Sequence, residues 1–191
     1  MTDRNRNISI ETPPLDPGRG TAAGTGVVAA ECGIGALRQT VLTLSSVSIT
    51  MTDAVAAGCH GSQKVYDFPA GLIHVMGVVC DLTTLAGTGG ITDTSAVVGS
   101  VGTVAAATDN ATLTTTEANL APSFAGTLAA GAGTMKSLST AALMAAAVID
   151  GTVTAVDAFL NFATVDAGST ANDTLTVSGT ITITWINYGD V

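Results

Sequence analysis

"DTLTVSGTITITWIN", residues 173–187, decides the fold. Leu175, Val177, Ile181, Ile183 and Trp185 alternate there with Thr174, Thr176, Ser178, Thr180, Thr182 and Thr184. Successive strand side chains point to opposite faces, so this period of two predicts a strand with an apolar core face and a hydroxyl outer face. Threonine suits such a face because it is β-branched and carries a hydroxyl for hydration or cross-strand bonding. The stretch holds no group that could do chemistry, and its regularity is structural.

Upstream the same texture recurs from residue 38, in strands separated by Gly, Asp and Asn turns. In "QTVLTLSSVSITMTD" the apolar set is Leu42 and Leu44, then Val47, Ile49 and Met51. The phase flips at Ser45 and Ser46, which predicts a bulge or a bend. "KVYDFPAGLIHVMGVVCDL" reads as a short strand, a break at Pro69, Ala70 and Gly71, and a second strand. Strict alternation there puts Leu72, Met76 and Val78 on one face and Ile73, Val75 and Val79 on the other. Such a strand needs cover on both sides. Residues 85–146 are weaker, with turn signals at Gly89-Gly90 and Asp109-Asn110. The Ala- and Met-rich run 139–149 is compatible with a helix, but its Thr and Gly flanks favour strand or coil for 139–144. "DGTVTAVDAFLNFATVD" is strand-like again, with Ala158, Leu160 and Phe162 on one face. About eight strands follow, with no long helix to carry parallel crossovers, and an antiparallel jelly-roll β-sandwich over residues 38–191 is the expected architecture.

Residues 1–37 differ in composition. "MTDRNRNISIETPPLDPGRG" is polar and includes Pro13, Pro14 and Pro17, which lack amide donors and favour extended backbone. An extended N-terminal arm that gains order on a neighbour is the expected reading. The start shows no apolar signal region, and runs such as "LIHVMGVVC" are about half the length needed to cross a bilayer. A soluble chain made in a cytoplasm is therefore expected, and Cys32, Cys59 and Cys80, odd in number and without CxxC spacing, agree with a reducing compartment.

The chain has 191 residues, of which 47% are hydrophobic, 4% aromatic and 11% charged. A free globular surface usually draws on a chain with roughly 25% charged residues, so the shortage of charge predicts surface covered by other subunits. A monomer surfaced with Thr, Ser and Gly is the competing reading. The net charge is −9. Arg4, Arg6 and Arg19 are balanced by Asp3, Glu11 and Asp16, which leaves the acidic excess on the body. Phosphate contacts need clustered Lys and Arg, so nucleic acid is excluded as a partner.

The chemical inventory is nearly empty. His60 and His74 are the two histidines, and Cys59-His60 is the nearest approach to a ligand pair; no cofactor or metal is expected. His74 reads as a packed or interface side chain. No GxSxG, HExxH, phosphate-binding or EF-hand pattern is present, and "GTGG" at 87–90 lacks the strand-to-helix context of a phosphate cradle. Asp150, Asp166 and Asp173 read as solvated turn residues, with a calcium site or a glycosidase-like pair as the alternative. The sequons at Asn7, Asn110 and Asn172 are chance matches in a chain without a secretory route. These observations point away from an enzyme.

The C-terminal stretch "VIDGTVTAVDAFLNFATVDAGSTANDTLTVSGTITITWINYGDV", residues 148–191, resembles the end of a group of tailed-bacteriophage virion proteins. The shared texture is carried by Asp150, Gly151 and Thr152, by Leu160 and Asn161, by Asp166 and Asp173, and by Trp185, Asn187, Gly189 and Asp190. "FPAGLIHVMGVVCDL" (68–82) and "TEANLAPS" (116–123) are similar to that group too. The resemblance implies a jelly-roll capsid decoration, or cement, protein on the capsid exterior of the virion: a homo-oligomer, with a trimer favoured, that binds the major capsid protein and ties capsomers together. On that reading the arm and one face of the sandwich meet the capsid, with Arg4, Arg6, Pro13, Pro14 and Arg19 as contact residues. A head-fibre or tail-fibre receptor or carbohydrate-binding module is the alternative; such sites usually expose Trp or Tyr, and the candidates are Tyr66, Trp185 and Tyr188.

Overall fold

The computed structural model describes residues 19–53, 58–88, 91, 95–107, 113–128, 132–138, 148–164 and 173–189. The chain is all-β and antiparallel, and its described residues contain no α-helix. Among the described residues eleven strands follow in order: β1 (Thr21–Ala22), β2 (Val27–Ile34), β3 (Leu37–Asp53), β4 (Cys59–Asp67), β5 (Gly71–Gly87), β6 (Ser95–Gly102), β7 (Ala121–Leu128), β8 (Ala132–Leu138), β9 (Val148–Gly151), β10 (Asp157–Thr164) and β11 (Asp173–Asn187). The helix-or-strand question at 139–144, the turns at 89–90 and 109–110, and Asp166 lie outside the described residues.

Hydrogen bonding runs β7-β6-β10-β4-β3-β11-β5-β8. The link between β4 and β3 is confined to Thr52 and Asp53 opposite His60 and Cys59. The path therefore divides into a sheet β3-β11-β5-β8 and a sheet β4-β10-β6-β7, which enclose one core and nearly close into a barrel. β2 extends the first sheet beside β3, and β9 pairs with the start of β5.

The stretch that opened the sequence reading is β11, bonded along its length to β3 on one side and β5 on the other. Leu175, Val177, Ile181, Ile183 and Trp185 are each 0% exposed. Burying such a side chain contributes about 2 kcal/mol, so this strand anchors the core from its centre. Trp185 meets Phe68 edge to face at 5.7 Å, and Phe68 meets Tyr66 the same way at 5.1 Å.

The bulge expected at Ser45 and Ser46 is present. Val177 pairs with Val47 and Gly179 with Leu44, so Ser45 and Ser46 share the space opposite Ser178. Ser46 sits at φ 51°, and its N–H donates to Ser178 Oγ at 2.9 Å. The extra residue lets both halves of β3 keep their apolar side chains inward.

Strict alternation fails in β5. Trp185 pairs with Val75 and Thr184 with Gly77, so Met76 is an extra residue. The phase reverses there: Ile73, Val75, Val78 and Cys80 are buried, while Met76 and Val79 face out. Val78 and Val79 thus exchange the faces that alternation assigned them. The boundary expected at residue 37 also moves, because it falls inside a hairpin in which Ile34 pairs with Leu37. Composition marked residues 21–34 as arm, yet they are strands β1 and β2, and Ala23 and Val27 are buried.

Candidate interaction surface

The two sheets treat their outer faces differently. Outside β4-β10-β6 the chain covers itself with the segment that follows β6, and Asn161 of β10 holds this cover. Its Oδ1 accepts from Ser62 Oγ at 2.7 Å and Ala106 N at 3.0 Å, and its Nδ2 donates to Val104 O at 3.0 Å and Glu117 O at 2.8 Å. The Glu117 carboxylate accepts from the amides of Ala107 and Thr114, and Ser100 Oγ donates to Glu117 O. Beneath lie Ala106, Leu113, Ala118 and Ala163 as a small second apolar cluster. Asn161 is fully buried because it does the bonding that the covering backbone needs.

The outer face of β2-β3-β11-β5-β9 carries no such cover among the described residues. Of the exposed large apolar side chains, Val28, Ile34, Leu37, Met76, Val79 and Val148 belong to these strands. Register places Ile34, Leu37, Ile186, His74 and Val148 in one row across five strands. A second row is Ala30, Val41, Thr182 and Val79. Between them run the half-buried hydroxyls of β11. Among the described residues the charged groups on this face are Asp81, paired at 3.1 Å with Lys136 of the adjoining β8, and Asp150 at its rim. Asp150 accepts from Thr152 Oγ1 at 2.6 Å and Thr152 N at 3.1 Å, and these bonds hold its carboxyl below the usual range.

Glu31 points the other way, into the barrel end. Trp185 Nε1 donates to Thr40 Oγ1 at 2.9 Å, Thr40 Oγ1 to the Tyr66 hydroxyl at 3.3 Å, and Tyr66 to Glu31 Oε2 at 2.8 Å. Arg38 Nε lies 4.0 Å from Glu31 Oε1. Burial pushes the Tyr66 hydroxyl well above its ordinary pKa, so it stays a neutral donor. This chain of polar groups ties β2 to β3, β4 and β11 and fixes which side of β2 faces outward.

A third polar group lies at the seam, where Asp67 and Asp157 face each other in register. Lys64 Nζ reaches Asp67 at 2.7 Å and Asp157 at 3.4 Å. Partial burial raises both carboxyls; at Asp67 the hydrogen bond from Lys64 and the contact with Asp157 outweigh it, so Asp67 is lowered while Asp157 stays raised. The arrangement is an ion-pair clasp between β4 and β10.

Arg4, Arg6, Pro13 and Pro14 lie outside the described residues, and Arg19 is exposed where the described chain begins. Adjacent strand residues point to opposite faces, so Cys59 enters the core while His60 stays half-buried and the two do not converge as ligands. Among the described residues no three His, Cys, Asp or Glu side chains gather as a metal-holding group. Asp173, expected in solvent, is buried at the start of β11. Tyr66 and Trp185 are buried, and Tyr188 is exposed. No described helix is long and apolar enough to cross a membrane. The sequence reading missed the outward set Val28, Ala30, Cys32 and Ile34, although its alternation with Val27, Ala29 and Glu31 is visible in "VVAAECGI". Compared with protein-family models, curated proteins and solved structures, the chain matches none.

Proposed function

We propose that this chain is a structural virion protein of jelly-roll type, a capsid decoration protein that binds the assembled head of a tailed phage as a homo-oligomer, with a trimer favoured. The observation that carries the reading is the contrast between the two outer faces. One is sealed by the chain's own backbone, and the other is broad, nearly neutral and studded with exposed aliphatic side chains. A face of that kind gains from being covered by protein. The strand orders β3-β11-β5-β8 and β4-β10-β6-β7 support the jelly-roll assignment, because two interleaved four-stranded sheets are its arrangement.

The role asked of such a protein is cohesion: added buried area at capsomer junctions, repeated in many copies, makes the shell harder to open. Arg4, Arg6, Pro13, Pro14 and Arg19 are the proposed contacts of the N-terminal segment with the major capsid protein. The test is co-sedimentation of the purified chain with heads of the phage that encodes it, beside a version lacking residues 1–20. Full-length chain should pellet with assembled heads and not with free capsid protein, and the shortened chain should stay in the supernatant. Absence of the full-length chain from the pellet would remove the decoration reading. A shortened chain that decorates heads at full occupancy would remove the role given to the N-terminal segment.

A further inference from the structure

We infer that the outer face of the β2-β3-β11-β5-β9 sheet is the seat of a second copy of this chain. Charge is the first argument. The chain carries −9, yet on this face the body's acids are reduced to Asp81, neutralised by Lys136, and Asp150 at the margin. A basic partner would be recruited by exposed carboxylates, and this face does not offer them. Two equally acidic molecules meet at less cost through faces of low charge, and among the described residues this one carries Asp150 as its single uncompensated acid.

Size is the second argument. β3, β11 and β5 run side by side for about 40 Å at about 4.8 Å per strand, and the shorter β2 and β9 widen the sheet beside them, which together give on the order of 800 Å². A stable pair needs about 800 Å² from each partner. Composition is the third. Thr182, Thr184, Val41 and Val79 form a patch without long charged side chains, against which a second copy's strands of the same texture can pack at about 10 Å. The apolar row through Leu37 and Ile186 then supplies the dry part of the contact.

This deepens the decoration reading, since it assigns one face to self-association and leaves the shell to be met by other surfaces. The experiment is light scattering on the full-length chain from about 1 to 100 µM. Beside it run Val79→Arg and Thr182→Arg on the face and Val104→Arg, a 47%-exposed position in the cover over the other sheet, with circular dichroism confirming that each variant is folded. The expected result is a mass of two copies or more for the native chain and for Val104→Arg. Both face variants should fall to one copy, with dissociation constants raised about 100-fold or more by the buried unpaired guanidinium. A native chain that stays at one copy throughout overturns the inference, and so does an oligomer that survives both face substitutions. A monomer that still decorates heads would sink this inference alone, whereas an oligomer that ignores heads would sink the decoration reading and leave this one standing.

Discussion

Trp185 shows what a single side chain does here. Its ring fills the middle of the core against Phe68, and its indole N–H starts the polar chain that runs through Thr40 and Tyr66 to Glu31. Trp185→Phe keeps most of the apolar contact and deletes the donor, so it should cost about 1–2 kcal/mol, whereas Trp185→Ala should cost about 3–5 kcal/mol through the cavity it leaves. Urea unfolding followed by circular dichroism, with an unchanged dependence on denaturant, checks both values. The cysteines separate on the same basis. Burial pushes the Cys80 thiol up to about 12, Cys59 is enclosed, and Cys32 is exposed on the outer side of β2. Reactivity follows the accessible thiolate, so a colorimetric thiol reagent should titrate one group in the dissociated native chain and three in denaturant, with Cys32 slowed where a second copy covers β2.

At the scale of the element, bulges allow long strands to obey a period of two while bending around the core. β3 and β11 hold one such site together: Ser46 at positive φ, Ser178 accepting its N–H, and Gly179 at φ 144°. A Cβ on Gly179 would meet the Asp81 carbonyl oxygen and stand 2.7 Å from Leu82 Cα, both backbone atoms of β5 that have no room to move. Gly179→Ala should therefore destabilise by about 2 kcal/mol or more, through backbone strain and overlap, where an ordinary Gly→Ala in compatible geometry stabilises. Thermal unfolding monitored by circular dichroism measures it, and an unchanged midpoint would show that the bulge relaxes at little cost. The flip at Ser45 and Ser46 was legible in the sequence because β3 keeps a strong apolar set on both sides of it. The Met76 bulge was not, because Leu72, Met76, Val78 and Val79 are apolar on either face and His74, the polar side chain of the run, lies before the bulge and leaves the phase after it unmarked.

For the whole molecule the decisive quantity is the balance between −9 of net charge and a neutral face. If copies meet through that face, their contact is apolar and their long-range interaction repulsive. Screening removes the repulsion, with a Debye length of about 30 Å at 0.01 M and about 3 Å at 1 M. Self-association should consequently strengthen as salt rises, and sedimentation velocity at low and high salt reads it as a shift toward larger species. A contact built on ion pairs would weaken instead. One lateral seam between the two sheets is crossed by β1 beside β4 and β2 beside β3, with the Lys64, Asp67 and Asp157 clasp nearby, so β1 and β2 are part of the folded body.

The sequence alone determined the class of fold, because alternation in β11, β3 and β10 is a local property of adjacent side chains and calls for antiparallel sheets around one core to bury them. It also set the small number of histidines and cysteines, two and three, and the net charge of −9. Only the tertiary structure decided which face is bare. Val28, Leu37, Val79 and Val148 are far apart along the chain and join one surface through the pairings β2-β3, β11-β5 and β5-β9. Whether an apolar outer face is already covered depends on where a distant segment lands, and Asn161 holds Val104 and Glu117 over one sheet while no described residue covers the other in that way.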